Sequence, residues 1–88
     1  MYQVILCNCP NQEVAKQIAR TLVSEKLAAC VNITPGITSI YQWQGAIETE
    51  TEVQLLIKSK QQLFNVVSDR ISSLHPYDVP EILSLIHI

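Results

Sequence analysis

The pattern of apolar and polar residues predicts a strand and then a helix in the first third of the chain. Residues 2–9 form an apolar, partly β-branched run that stops at Pro10, which predicts a buried strand. Asn11 is a favourable N-cap, and Glu13 suits the positive end of the helix dipole. A helix is therefore predicted from about residue 11 to about residue 26, because apolar residues recur there at helical spacing, at Val14, Ile18, Leu22 and Val23.

The middle of the chain predicts three extended segments. A second strand covers residues 28–34 and ends at Pro35-Gly36, where we expect a kink or turn because a regular ladder cannot continue through proline. Residues 37–44 and 46–58 then form the arms of a hairpin with its tip around Gly45. The second arm alternates between two faces. One face comprises Ile47, Thr49, Thr51, Val53, Leu55 and Ile57, and the other comprises Glu48, Glu50, Glu52, Gln54 and Lys58.

The last third predicts a second helix and a final strand. Ser59-Lys60-Gln61-Gln62 has the spacing of a capping box. The helix should end before His75, because a residue ahead of proline avoids the helical region and Pro76 follows. Residues 82–88 then form the last strand. The helix itself is indicated by apolar residues at helical spacing, at Leu63, Phe64, Val67, Ile71 and Leu74.

The order strand, helix, strand, strand, helix, strand predicts the α+β class with the ferredoxin-like, or split βαβ, arrangement. In this arrangement an antiparallel sheet carries two helices on one face, and a long hairpin joins its second and third strands. Residues 1–88 are expected to form a single domain, because chains of this length rarely divide.

The predicted hairpin is long for so small a domain. Its second arm would span about 40 Å if straight, at ~3.3 Å per residue, whereas a chain of this length has a radius of gyration near 12 Å. A ribbon that overhangs its own subunit presents unpaired edges to other chains, so an oligomer is expected. The alternative is a sharply bent hairpin that closes on the open face of its own sheet.

The composition is poor in charge. Charged residues make up 16% and hydrophobic residues 48% of the 88, against a usual charged share of about 25%, which again suggests surface buried between subunits. Six basic and eight acidic residues give a net charge of −2 without any basic block, so nucleic acid is not expected as a partner.

Cysteine usage and hydropathy suggest a compartment. No apolar run approaches the ~18 residues of a membrane span, and the first residues lack the basic lead of a signal peptide. Three cysteines are an odd number and too few for a disulfide scaffold, which fits a reducing environment. The sequence therefore predicts a cytoplasmic protein without a membrane partner.

Four segments resemble the CutA divalent-cation tolerance proteins: residues 27–33, residues 39–45, the acid-rich arm through Glu52, and residues 75–82. They occur in the family's order and spacing over nearly the whole chain. The resemblance implies a ferredoxin-like subunit, a homotrimer built through the long hairpins, an architecture similar to PII signalling proteins, and binding of divalent metal. Cu(II) is the metal most expected from it, with Zn(II) also possible. The family pattern continues with a turn and an aromatic helix that these residues do not contain.

The resemblance also implies metal ligands. Cys7 and His75 match the cysteine and the second of two adjacent histidines in the family's copper site, whereas Leu74 stands at the first. Thiolate and imidazole are ligands that favour copper and zinc. Cys9 lies two positions along the same strand and can offer a second sulfur, and Cys30, in an apolar strand, is a further candidate. The alternative for His75 is a structural cap whose imidazole bonds to backbone.

Other residues are candidates for a cleft or an interface. Tyr77, Asp78 and Glu81 lie in a proline-flanked loop that can line a cleft between subunits, or that is simply stiffened by its prolines. Tyr41 and Trp43 alternate onto one face near the hairpin tip, where aromatic residues more often anchor an interface than hold a ligand. The glutamates of the same hairpin form a carboxylate stripe that either serves hard cations or keeps a solvated face from aggregating.

Two functions follow from these features. The first is a trimeric, non-enzymatic protein that binds divalent metal and serves metal tolerance. The second is a PII-like signalling or scaffold module that binds a small metabolite or a protein in clefts between subunits. No enzyme is expected, because the sequence lacks a nucleophile elbow, a P-loop and an H-E-x-x-H motif, and two glycines are too few for a phosphate-cradling loop.

Overall fold

The computed structural model describes residues 2–77 and 80–85. Its elements follow the predicted order. They are β1 (Tyr2–Cys9), α1 (Gln12–Ser24), β2 (Cys30–Trp43), β3 (Ala46–Lys60), a 3-10 turn (Gln61–Leu63), α2 (Phe64–Leu74) and β4 (Ile82–Leu85).

The four strands form one antiparallel sheet in the order β2-β3-β1-β4. Alternate residues of β1 and β3 point to the face that the helices cover, and they are buried there because apolar helix residues pack against them. The α+β, ferredoxin-like prediction is therefore confirmed. The buried core comprises Ile5, Cys7, Cys9, Ala15, Ile18, Leu22, Ala28, Val53, Leu55, Ile57, Val67 and Ile71.

The opposite face of the sheet is open. In the single chain Leu83 is 54% exposed and Leu85 is 42% exposed, although both lie on a sheet strand. Neither helix packs on this side, and the β2–β3 hairpin leaves these two leucines uncovered. The alternative of a hairpin that closes over its own sheet is therefore wrong.

The hairpin extends beyond the sheet as a two-stranded ribbon. β1 pairs with β3 only from Val53 to Lys60, so the part of β3 before Val53 pairs with β2 alone. Every residue from 40 to 51 is exposed in the single chain. At its tip, Gln44 (φ 50°) and Gly45 (φ 81°) form the two-residue turn, and positive φ at both positions is typical of a type I′ turn.

The second strand does not end at Pro35-Gly36 as predicted, although its regular ladder is interrupted there as expected. β2 runs continuously from Cys30 to Trp43, and its register to β3 shifts between Thr34 and Ile37. A β-bulge absorbs a proline, which lacks an N–H for the ladder, and Gly36 takes φ 72°. The strand also begins at Cys30 instead of residue 28.

The predicted capping box is also wrong. Ser59 belongs to β3, is 1% exposed, and donates its hydroxyl to the carbonyl oxygen of Leu27. The helix begins instead after the 3-10 turn and has no side-chain cap. By contrast, the N-cap of α1 is confirmed, since the Asn11 side chain accepts from the backbone N–H of Val14 at 2.9 Å. Residues 86–88 of the predicted last strand lie outside the described residues.

Across residues 2–77 and 80–85, no helix has both the length and the apolar character needed to cross a membrane.

Candidate functional site

Two thiols and one imidazole meet at the end of β1. The possible ligand atoms of Cys7, Cys9 and His75 all lie within 4.8 Å of one another. All three residues are buried, with exposed fractions of 1%, 0% and 7%. Among the described residues this is the one group of three or more cysteine, histidine or carboxylate side chains that converges on a metal-sized point.

The local sequence explains why these side chains meet. Cys7 and Cys9 are two residues apart on an extended strand, so both point to the helix-covered face. His75 is the C-cap of α2, and its backbone N–H donates to the carbonyl oxygen of Ile71 at 2.8 Å. Its extended backbone conformation, φ −80° and ψ 137°, is the one that Pro76 requires of the preceding residue. The end of α2 thus delivers the imidazole to β1.

Both ring nitrogens of His75 have hydrogen-bond partners. The Nε2 atom lies 2.8 Å from the carbonyl oxygen of Asn8, and the backbone N–H of Tyr77 donates to Nδ1 at 3.2 Å. A carbonyl accepts and an N–H donates, so these partners match the tautomer in which Nε2 carries the proton and Nδ1 accepts. The structural role considered for His75 is therefore present. A metal bound at Nδ1 has to replace the contact with Tyr77.

The two buried thiols influence each other's ionisation. A hydrogen bond from the Cys7 thiol lowers the pKa of Cys9, because it stabilises the Cys9 thiolate. The same interaction, together with burial, strongly raises the pKa of Cys7. Cys9 is therefore the thiol of the pair that loses its proton more readily, and Cys7 is the one that holds its proton more tightly.

Cys30 lies on the other face of the sheet. Cys30 pairs with Lys58 of β3, whereas Cys7 pairs with Leu55 of the same strand. Side chains alternate between the two faces along a strand, so Leu55 and Lys58, an odd number of positions apart, point to opposite faces. The structure therefore brings Cys9 to Cys7 and His75 but does not bring Cys30 there.

A second concave feature, which we call the acidic groove, has a volume of about 890 Å³ and lies on the open side of the sheet. It contains two of the three loop residues predicted to line a cleft, and both aromatic residues predicted to form an interface. Asp78, the third loop residue, lies outside the described residues. The groove is lined by Asn8, Tyr41, Trp43, Glu50, Glu52, Tyr77 and Glu81.

The β-bulge in β2 places the aromatic residues in the groove. Before the bulge, even-numbered residues of β2 pair with even-numbered residues of β3, as Cys30 does with Lys58. After the bulge, odd-numbered residues of β2 pair with even-numbered residues of β3, as Tyr41 does with Glu48. The extra residue thus moves Tyr41 and Trp43 to the face that carries the glutamates of β3. The groove already exists within one chain, whereas the sequence suggested a cleft between subunits.

Glu52 is fixed in the groove by two donors. Its Oε1 atom accepts from the hydroxyl of Ser39 at 2.6 Å and from the side-chain amide of Asn8 at 3.5 Å. Desolvation and the nearby carboxylates raise the pKa of Tyr41 and that of Tyr77, because a phenolate beside carboxylates is disfavoured. Both phenols are therefore neutral at neutral pH, and the charge of the groove is that of its carboxylates.

The buried cluster and the acidic groove share a wall. The rings of His75 and Tyr77 pack with centroids 4.6 Å apart. Asn8 offers its carbonyl oxygen to His75 on one side and its side-chain amide to Glu52 on the other. Sequence reasoning missed Asn8, and it assigned Glu50 and Glu52 only to a stripe. Their alternation in β3 was visible, but which aromatic residues they face depends on the bulge.

Comparison with known proteins identifies a family. Residues 3–87 match the model of the family described as CutA1 divalent ion tolerance protein. The divalent-cation tolerance protein CutA of Thermus thermophilus is 51% identical over 85 residues, which cover 97% of this chain and 82% of that protein. The human protein CutA is 51% identical over 77 residues, which cover 88% of this chain and 43% of the human protein. The chain thus spans less than half of the human relative.

Solved structures of divalent cation tolerance proteins have the same fold as this chain. A divalent cation tolerance protein of Thermus thermophilus superposes with a TM-score of 0.94 at 49% identity, and the match covers 99% of this chain and 84% of that one. CutA1 from Oryza sativa gives a TM-score of 0.93 at 43% identity, over 96% of this chain and 77% of that one.

The names of two other relatives correct the predicted location. An Archaeoglobus fulgidus structure is called a periplasmic CutA (38% identical, TM-score 0.94, 99% of this chain and 84% of that one). An Arabidopsis thaliana relative is called chloroplastic (44% identical over 82 residues, 93% of this chain and 45% of that protein). The prediction of a cytoplasmic protein from free cysteines is therefore wrong, because proteins of this kind are also named for other compartments.

Proposed function

This chain belongs to the CutA1 divalent ion tolerance family, and from that premise we propose that it binds a divalent metal ion through Cys7, Cys9 and His75. The observation that carries the proposal is the convergence of the three donors within 4.8 Å inside the protein. Metal–sulfur bonds of ~2.3 Å hold two sulfurs at a separation close to this, so the thiols need only small movements, while His75 gives up its contact with the Tyr77 N–H. The chain acts here as a binding protein without catalysis.

Copper is the preferred ion. Affinity for a given set of nitrogen and sulfur ligands rises along the first-row divalent ions to Cu(II) and falls again at Zn(II), and thiolates favour copper and zinc over harder ions. The cluster contains no carboxylate, which disfavours magnesium and calcium. We therefore place Cu(II) first and Zn(II) second.

Metal titrations of matched cysteine variants test this proposal. Zn(II) and Cu(II) affinities are measured by competition with a chelator for the wild type, Cys7→Ser, Cys9→Ser and Cys30→Ser. We expect the first two substitutions to weaken binding by about tenfold or more, equivalent to at least ~1.4 kcal/mol. Cys30→Ser is the control, because Cys30 lies on the other face of the sheet. Equal affinities in all four proteins would remove the site.

The functional unit is a homotrimer joined through the hairpin ribbons. The exposed ribbon supports this proposal, because Ile40 and Ile47 are 70% and 75% exposed in the single chain. Both isoleucines lie on the ribbon face opposite the acidic groove. In this arrangement a sister subunit covers the apolar face of the ribbon, and Tyr41 and Trp43 on the other face remain available to the groove. This differs from the expectation from the sequence, in which these two aromatic residues form the interface.

A second candidate function is ligand binding in the acidic groove. Its volume of about 890 Å³ falls within the ~300–1,000 Å³ of small-molecule sites. Three aromatic side chains and a few polar groups converge there, which is the usual composition of such sites. This arrangement supports a module that senses a small metabolite, and Tyr77 connects the groove to the metal cluster.

A further inference from the structure

We propose that the acidic groove binds an organic cation, namely a quaternary or protonated amine on a small apolar body. This inference rests on the second candidate function and names the class of its ligand.

The charge of the groove selects against other ligands. Glu50, Glu52 and Glu81 line it, and none of its lining residues is a lysine or an arginine. Ser39 and Asn8 give Glu52 only neutral hydrogen bonds, so its charge is not neutralised by them. Anionic metabolites such as phosphates meet repulsion in this field, and uncharged ones gain nothing from it.

The aromatic walls match a cation with an apolar surface. Tyr41, Trp43 and Tyr77 line the same groove as the carboxylates, and all three are partly exposed to it. Aromatic faces attract ammonium groups through their quadrupole, and such walls are how proteins recognise quaternary amines. The neutral phenols keep these ring faces uncharged.

A bare metal ion does not fit the groove. Its three carboxylates are not among the side chains that converge on a metal-sized point in the described residues. A volume of about 890 Å³ would leave a single ion surrounded mostly by water. An organic cation instead fills the space with apolar atoms and keeps its charge near the carboxylates.

The test compares choline with its carbon isostere neohexanol, in which carbon replaces the quaternary nitrogen, and with the anion of tert-butylacetic acid. Binding to the full chain is followed by NMR at the Trp43 indole N–H and the Asn8 side-chain amide. We expect saturable binding of choline in the millimolar range, at least about tenfold weaker binding of neohexanol, and none of the anion. Choline binding should also weaken as salt is added.

Matched variants locate the effect. Glu50→Gln and Glu52→Gln should each weaken choline binding several-fold. Glu48→Gln should leave it unchanged, because Glu48 lies on the same face of β3 but does not line the groove. Glu50 is exposed, so its substitution should not disturb folding.

The outcomes separate this inference from the proposals beneath it. Equal binding of choline and neohexanol, or preference for the anion, would overturn the cation class while leaving the groove as a ligand site. The absence of any shift with all three probes would remove the groove function as well. If Glu48→Gln and Glu50→Gln weakened choline binding equally, the attraction would be a nonspecific effect of charge, and the groove would not be the binding site. None of these results bears on the metal titrations of the cysteine variants.

Discussion

At the scale of single residues, His75 has a structural role that is independent of metal. Its imidazole joins the end of α2 to β1 through Asn8 and to the following loop through Tyr77. We predict that His75→Ala lowers the free energy of unfolding of the metal-free protein by about 1–3 kcal/mol, because the Asn8 carbonyl and the Tyr77 N–H both lose a partner. Urea unfolding in the presence of a chelator measures this change.

The control for this substitution is Ser72→Ala, at an exposed position of the same helix. It should change stability by no more than a few tenths of a kcal/mol. If His75→Ala weakened metal binding but left the metal-free protein as stable as the wild type, the hydrogen bonds of the imidazole would not stabilise the fold.

At the scale of elements, the tip of the hairpin is not at its optimum. Gln44 adopts φ 50° in the two-residue turn, a conformation that asparagine tolerates better than glutamine. We predict that Gln44→Asn raises the free energy of unfolding by about 0.4–1 kcal/mol, and that Gln44→Val lowers it because a β-branched side chain is strained at positive φ. Thermal unfolding of both variants measures the effect.

The matched control is Gln42→Asn, two residues earlier in β2. Asparagine disfavours strands, so this change should be neutral or slightly destabilising. A stabilising effect at residue 42 equal to that at residue 44 would mean that turn geometry is not the cause.

At the scale of the whole molecule, we expect the ribbon to hold the proposed trimer together. We predict that the wild type has the mass of a trimer at micromolar concentration, and that Ile40→Lys combined with Ile47→Lys lowers it, because two charges then replace the exposed apolar side chains of the ribbon. Light scattering measures the mass, and circular dichroism shows whether the subunits stay folded.

Net charge is controlled by placing two lysines elsewhere. Gln12→Lys combined with Gln17→Lys adds the same charge on the exposed side of α1, and this variant should remain a trimer. A folded wild type with the mass of one chain would contradict the assembly, as would a trimer that survives both substitutions in the ribbon.

Local patterns in the sequence were enough for the order of the elements and for part of the buried cysteine–histidine cluster. Alternation on β1 placed Cys7 and Cys9 on one face, Asn11 marked the start of α1, and Gly45 marked the tip of the hairpin. These predictions hold because each depends on residues a few positions apart, where backbone geometry fixes direction. The capping box failed because Ser59 is taken up by β3 and by a bond to Leu27, which no local pattern reveals.

The sequence by itself determined the order of strands and helices, the resemblance to a family, and the residue types able to bind metal. Only the tertiary structure decided that His75 lies against Asn8, 67 positions away. It also decided that the bulge between Thr34 and Ile37 turns Tyr41 towards the glutamates. A single extra residue reverses which side chains share a face, and that register is set by pairing between distant strands, which the pattern along one strand does not contain.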